Sequence, residues 1–284
     1  MTARAAAAVA AQIIESKGRD VVLVSLARAG TPIGILIRRY IQLRCGVDVP
    51  HYAISIIRGR GIDKNAMDYM LRRHPAEKLQ FVDGWTGKGA IRHQLDEALA
   101  DYPGAERRLA VLSDPAAIAG ICGTHDDFLI ASACLTATVS GLLSRTFLRD
   151  DIIGPDDFHG AAFYAELADE DVTYRFIDRV AEHFPTDAPT VPPAPGDPEA
   201  ALAEVREIQS AFAIRDINLV KPGIGEATRV LLRRLPWKVL VHSLHDEEHL
   251  GHLYQLAREK NIELIHWPMK IYRACGLIRE MADT

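Results

Sequence analysis

Asp83, Thr86 and Lys88 bring an acid, a hydroxyl and an amine together in the stretch Leu79-Gln80-Phe81-Val82-Asp83-Gly84-Trp85-Thr86-Gly87-Lys88-Gly89-Ala90-Ile91. Residues of these types at this spacing suit a phosphorylated ligand. The apolar run reads as a buried strand that ends in the acid, passes through a turn of small residues and opens a helix. Gly84, Gly87 and Gly89 let the backbone approach an anion, and the unpaired amides at the helix start point toward it. Thr86 and Lys88 add a donor and a positive charge, which leaves Asp83 for ribose hydroxyls or a magnesium ion.

A second loop, Ser25-Leu26-Ala27-Arg28-Ala29-Gly30-Thr31-Pro32-Ile33-Gly34, also follows a strand and leads into a helix. Arg28 is suited to a diphosphate, and nothing bulky blocks the amides near Ala29, Gly30 and Thr31. A third loop carries Arg58 and Arg60 about Gly59, a basic segment of the kind that closes over substrate and excludes water.

A different chemistry would use Cys134 as a thiolate nucleophile, with His125 or His159 as base and Asp126 or Asp127 to orient it. Cysteine is equally a common buried packing residue. Ser132, Thr136, Thr138, Ser140, Ser144 and Arg145 surround Cys134 with small hydroxyls that suit either a nucleobase pocket or tight helix packing. His242, His245, His249 and His252, with Glu248 nearby, raise the question of a metal site, although no thiol or carboxylate completes an unmistakable one and histidines on an exposed helix need no ligand.

The elements that must position these residues are legible as alternating patterns. Strands are expected at 21–26, 53–57, 79–82 and 109–112, with helices at 32–44, 65–73 and 89–100 between them. Such alternation predicts a parallel sheet covered by helices on both faces, with ligands at the carboxyl ends of its strands. Pro185, Pro189, Pro192, Pro193, Pro195 and Pro198 then mark a linker, expected to be extended and to hold the flanking units semi-rigidly apart. The expected division is 1–184, a linker at 185–198 and a second unit at 199–284. That second unit reads as a helix after the glycine turn at Lys221-Pro222-Gly223-Ile224-Gly225-Glu226, strands at 237–242 and 262–265, and a helix at 246–260.

Composition narrows the class. The 284 residues are 48% hydrophobic and 25% charged, as in folded globular chains, and the net charge of -5 argues against coating nucleic acid by bulk attraction. Cys45, Cys122, Cys134 and Cys275 form no paired motif, which fits a reducing cytoplasm. The alanine-rich start, Met1 to Gln12, is expected to be a helix rather than a signal peptide, and no membrane anchor is expected.

Taken together, LARAGTPIG, SIIRGRGID, FVDGWTGKGAI, SACLTATVSGLLSRT and KPGIGEATRVLLRRLPWKVLV resemble a bacterial family of tellurite-resistance and stress operons, described both as phosphoribosyltransferases and as the cysteine protease StiP. The resemblance implies a type I phosphoribosyltransferase-like parallel sheet domain and a small α-β-α sandwich similar to the Pelota RNA-binding domain. It implies phosphoribosyl pyrophosphate with Mg2+ as substrate and cofactor, an unidentified acceptor and a nucleoside-like stress metabolite as product. Asp83 and Arg28, with Arg58 and Arg60, would be catalytic; Ala29, Gly30, Thr31, Gly84, Thr86, Gly87, Lys88 and Gly89 would bind substrate. Two departures stand out: Asp83 is alone where such enzymes carry two adjacent acids, and Lys88 occupies a position usually held by a small residue. Under the protease description Cys134 with His125 would act instead; a non-catalytic RNA-binding or nucleotide-sensing protein is the third reading. The Pelota likeness makes Lys221, Gly223, Gly225, Glu226 and Arg229 the RNA-contacting candidates, with Gly225 standing where kink-turn binders carry a base-reading asparagine. A homodimer is compatible with all three.

Overall fold

The computed structural model describes residues 1–57, 59–132, 146–194 and 196–279. Arg58 and the segment carrying Cys134, Thr136, Thr138, Ser140, Ser144 and Arg145 lie outside the described residues.

The first unit is built on strands β1 (Val22–Ala27), β2 (His51–Ile57), β3 (Gly61–Ile62), β4 (Leu79–Trp85), β5 (Ala110–Ser113) and β6 (Ile121–Thr124), in the order β3-β2-β1-β4-β5-β6. All neighbours pair in parallel except β3, which turns back antiparallel to β2. The central strands are apolar almost throughout, with successive side chains on opposite faces, so both faces need cover. Leu23, Val82, Ala110 and Leu112 pack on one side with helices α1 (Thr2–Lys17), α2 (Gly30–Cys45) and, further along, the segment α5 (Thr173–Ala181). Val24, Ile54, Phe81 and Val111 pack on the other with α3 (Lys64–Leu71) and α4 (Ala90–Ala98). The alanines of α1 let it lie unusually close to the sheet edge: a Cβ at Gly123 on β6 would stand 2.5 Å from the Ala5 carbonyl oxygen. A short hairpin of β7 (Thr146–Phe147) and β8 (Gly160–Ala161) precedes α5.

The second unit is a four-stranded sheet of β9 (Val220–Pro222), β10 (Pro236–Val241), β11 (Glu263–His266) and β12 (Ala274–Ile278), in the order β11-β10-β12-β9. Strand alternation again splits the core. Val220, Leu240, Cys275 and Leu277 face helix α6 (Pro198–Ala211), which Asp197 caps through the Ala200 amide at 2.8 Å. Val239, Val241 and Ala274 face α7 (Ile224–Arg233) and α8 (Glu247–Glu259). The result is the expected α-β-α sandwich.

The spacing of the two units corrects one expectation. The proline-rich segment does not hold them apart: Ala188 and Val191 pack onto the first unit, and Gly196 lies against Ile271 of the second. The units instead meet face to face. Ala116, from the β5–β6 loop, is fully buried in the core of the second unit, and Leu129 packs against the other side of that unit's sheet. A polyproline stretch is stiff only along its own length; apolar burial at both ends decides where it runs.

A candidate ligand site between the two units

Register places the two candidate loops side by side. Val22 pairs with Leu79 and Ser25 with Val82, so the chain leaves β1 and β4 at the same sheet edge. The fit is close at Gly30, where a Cβ would meet the Val82 carbonyl oxygen at 2.4 Å. Arg28, Ala29 and Asp83 thereby line one cavity of about 330 Å³, together with Trp85, Gly87, Lys88 and the start of α4 at Ala90 and Ile91. Gly89 enters that helix at φ 90°, a left-handed conformation that glycine adopts without strain.

The far wall comes from the second unit. Lys221, Pro222, Glu226 and Arg229 face the cavity from β9 and α7. Gly225 rests on the Trp85 indole, where a Cβ would stand 3.2 Å from Cε2, and the Arg229 guanidinium lies 5.9 Å over the same ring while bonding Glu226 at 2.8 Å. Lys221, Glu226 and Arg229 of the RNA candidates therefore border the same space as Arg28, Ala29, Asp83, Gly87 and Lys88 of the phosphate candidates, whereas Gly30, Thr31, Gly84, Thr86 and Gly89 do not line it. Gly223 and Gly225 are buried behind that wall, against Asp127 and Trp85, and do not line the cavity; Lys221, Glu226 and Arg229 are half-buried.

Three polar side chains lock the wall in place. The Asp127 carboxylate accepts the Ile224 amide at the start of α7 and the Arg273 amide at 2.9 Å. Burial pushes its carboxyl up to about 6, although these amides pull the other way. The Lys88 ammonium donates to the Ile217 carbonyl and, at 2.9 Å, to that of Val220, and the Tyr272 hydroxyl donates to Gly87 O at 3.2 Å.

The remaining sequence candidates are distributed as follows. The Asp83 carboxylate accepts its neighbour's Gly84 amide at 2.8 Å; burial raises its carboxyl to about 7, opposed by that amide and Arg229 and reinforced by Glu226. Thr86 is buried and donates to Asp114, so its hydroxyl turns away from the cavity. The Thr31 hydroxyl is buried with no hydrogen-bond partner among the described residues. Arg60 is exposed at the β2–β3 turn and borders a separate surface recess with Asp63 and Asn65.

His125 is brought to a cysteine that sequence reasoning did not select. Its Nδ1 donates to the Asp114 carbonyl at 2.7 Å, and Cys122 Sγ lies 3.5 Å from Nε2 and 3.9 Å from Nδ1. A sulfur almost equidistant from both nitrogens sits beside the ring rather than on a nitrogen lone pair. Burial, then the nearby Asp114, pushes the Cys122 thiol up to about 12, which disfavours a thiolate at this position. The Asp114 carboxylate, which completes a possible metal-binding trio with Cys122 and His125, already accepts Thr86, Ile118 and Ala119. The C-terminal histidines do not share one site: His242 and His249 meet at the Asp246 carboxylate, at 2.9 and 2.8 Å, while His252 turns away to Thr228 at 3.0 Å.

A second recess of about 260 Å³ adjoins the cavity through Ala27. Tyr52, Tyr69 and Phe158 give it aromatic walls, and Ser55 Oγ meets His159 Nδ1 there at 3.0 Å. Sequence patterns offered no sign of it, because its walls come from β2, α3 and the distant β8 hairpin. No helix among the described residues is long and apolar enough to cross a membrane.

The family described as "Tellurite-like stress resistance cysteine protease StiP" matches residues 1–181, and that described as "PELOTA RNA binding domain" matches residues 199–280. Cysteine protease StiP of Acinetobacter baylyi is 36% identical over 282 residues, covering 92% of this chain and 73% of the relative. Among solved structures, hypoxanthine phosphoribosyltransferase from Trypanosoma cruzi in complex with IMP is 15% identical with a TM-score of 0.34, over 61% of this chain and 91% of that one. Purine phosphoribosyltransferase from Pyrococcus horikoshii is 17% identical with a TM-score of 0.31, over 42% and 76%. With its parallel-sheet unit matched throughout and more than a third of its residues shared with a relative along most of its length, the chain belongs to the StiP family.

Proposed function

We propose that the cavity binds phosphoribosyl pyrophosphate with Mg2+ and that the protein transfers ribose 5-phosphate to a nitrogenous acceptor. One observation carries this reading: the loop after β1 and the turn after β4 converge on a single cavity whose four basic residues, Arg28, Lys88, Lys221 and Arg229, outnumber its two acids, Asp83 and Glu226. In a chain of net charge -5 that local excess favours an anionic ligand. The amides opening α4 suit the 5-phosphate and Arg28 the diphosphate. Carboxylate oxygens of Asp83 and Glu226 are the donor type that magnesium prefers, and the ion would help neutralise the departing diphosphate.

In the transfer, the bond from C1 of the ribose to the diphosphate oxygen breaks and the diphosphate leaves with the electron pair. The acceptor nitrogen bonds C1 and releases its proton to solvent. Arg28 offsets the charge growing on the leaving group while Asp83 favours the cationic sugar. The aromatic recess beyond Ala27 is suited to a flat acceptor. The product would be a nucleoside-like metabolite of the stress response that the family description names.

Calorimetric titration with phosphoribosyl pyrophosphate and Mg2+, followed by an acceptor screen that reads pyrophosphate release, tests the reading. Binding that weakens at least tenfold in Asp83→Asn and Arg28→Ala supports it; absence of binding by the unaltered protein overturns it. A cysteine-peptidase reading draws support from the name of the Acinetobacter baylyi relative. It predicts loss of peptide cleavage in Cys134→Ala with phosphate binding intact. RNA contact through Lys221, Gly223, Gly225, Glu226 and Arg229 draws support from the match to the Pelota domain.

A further inference from the structure

Residues of the second unit close the cavity, and this has a consequence for what they touch. Arg229 and Lys221 line the same space as Arg28 and Asp83, and Arg229 is held there by Trp85 beneath it and Glu226 beside it. Both neighbours fix the direction of the guanidinium without removing its remaining donors, of which arginine has five. The turn that carries them cannot swing away cheaply: Ile224 N is bonded to buried Asp127, Gly225 is packed on Trp85, and Ala116 of the first unit is sunk in the second unit's core.

We infer that the ligand site is composite. Arg229, with Lys221, binds the phosphorylated ligand directly, so the Lys221–Arg229 turn serves a small anion inside the docked protein instead of presenting a free surface to an RNA backbone. This rests on the cavity being an anion site, the reading proposed above, and adds that the second unit is part of it. The same arrangement supplies a second carboxylate, Glu226, to a cavity whose own strand end offers only Asp83. Loss of Arg229 or Lys221 removes a charge-assisted contact from a partly desolvated site, which predicts roughly ten- to a hundredfold weaker binding.

The test is calorimetry on the full-length chain with phosphoribosyl pyrophosphate and Mg2+ and, separately, with inorganic pyrophosphate. Arg229→Ala and Lys221→Ala are compared with Arg258→Ala, an exposed basic residue at the end of α8 that is remote from the cavity lining. Weaker binding in the first two and no change in the third is the expected result. Unchanged binding in all three overturns the composite site while leaving the proposed substrate standing. Binding of inorganic pyrophosphate alone, lost in Arg229→Ala, sinks the proposed substrate and keeps the composite site; binding of neither probe overturns both. Should Arg229→Ala misfold by circular dichroism, Lys221→Ala and Arg229→Lys decide the matter. A labelled RNA oligonucleotide adds an independent reading: RNA that binds equally well with the cavity saturated by ligand contradicts the inference.

Discussion

Asp127 holds the backbone amide of Ile224 with both carboxylate oxygens, at 2.9 and 3.1 Å, and through that contact one unit caps the first helix of the other unit's docking face. Asp127 as a residue is 5% exposed, and its carboxylate also accepts the Arg273 amide. Asp127→Ala strands these buried donors and removes a negative charge from a helix N-terminus. A loss of about 2–4 kcal/mol in urea-induced unfolding is expected, since each unsatisfied buried group costs about 1–3 kcal/mol. Asp127→Asn keeps one acceptor oxygen and should lose less.

Gly30→Ala should damage folding and ligand binding together. Its Cβ would stand 2.4 Å from a main-chain oxygen, Val82 O, and a strand carbonyl in the middle of a sheet cannot give way as a side chain can. Overpacking of this kind costs about 1–3 kcal/mol. Thermal unfolding reads the first effect and calorimetry the second; a variant of unchanged stability would mean that the two loops are not in contact.

If Asp83 meets the ligand as proposed, binding is expected to depend on pH. Burial raises its carboxyl from 3.8 to about 7, so the folded protein holds a proton that the unfolded chain releases. Stability from this group is therefore present below pH 4 and is lost as pH rises through the window from about 4 to about 7. Under the proposed function, binding of Mg2+ with phosphoribosyl pyrophosphate would need the carboxylate and run the opposite way, strengthening up to about pH 7 and then levelling. Titrations from pH 5.5 to 8.5 should show that rise, and Asp83→Asn should flatten it.

Thiol reactivity separates the described cysteines. Burial pushes Cys122 and Cys275 each up to about 12, whereas Cys45 is half-buried near the end of α2. Brief iodoacetamide treatment of the native protein at pH 7.5, followed by peptide mass spectrometry, should leave Cys122 and Cys275 unmodified and reach Cys45. Rapid alkylation of Cys122 would mean that His125 activates it after all.

The parallel sheet was legible because its strands are continuous apolar runs separated by amphipathic helices; β1, β2 and β5 stand within two residues of their expected bounds, and β4 runs three residues past its expected end. Strand β6 was not, since only residues 114–120 separate it from β5 and no helix marks the crossover. Strands β9 and β12 escaped for a similar reason: each is short and defined by its antiparallel partner rather than by its own pattern.

For the site, sequence alone pointed to the residue types of each loop: Asp83 before a glycine turn, Arg28 in a small-residue loop, Lys221 to Arg229 around a second turn. Those are local properties of residue type and spacing. Which loops share a cavity is not local. Tertiary packing turned the Lys88 ammonium onto the carbonyls of Ile217 and Val220 and the Thr86 hydroxyl onto Asp114, and it set Arg229 opposite Asp83. The reason is that burying Ala116 and Leu129 at the joint between the units fixes their orientation, and hydrophobic burial is non-directional until the surrounding hydrogen bonds, here those of Asp127, choose one docking from many.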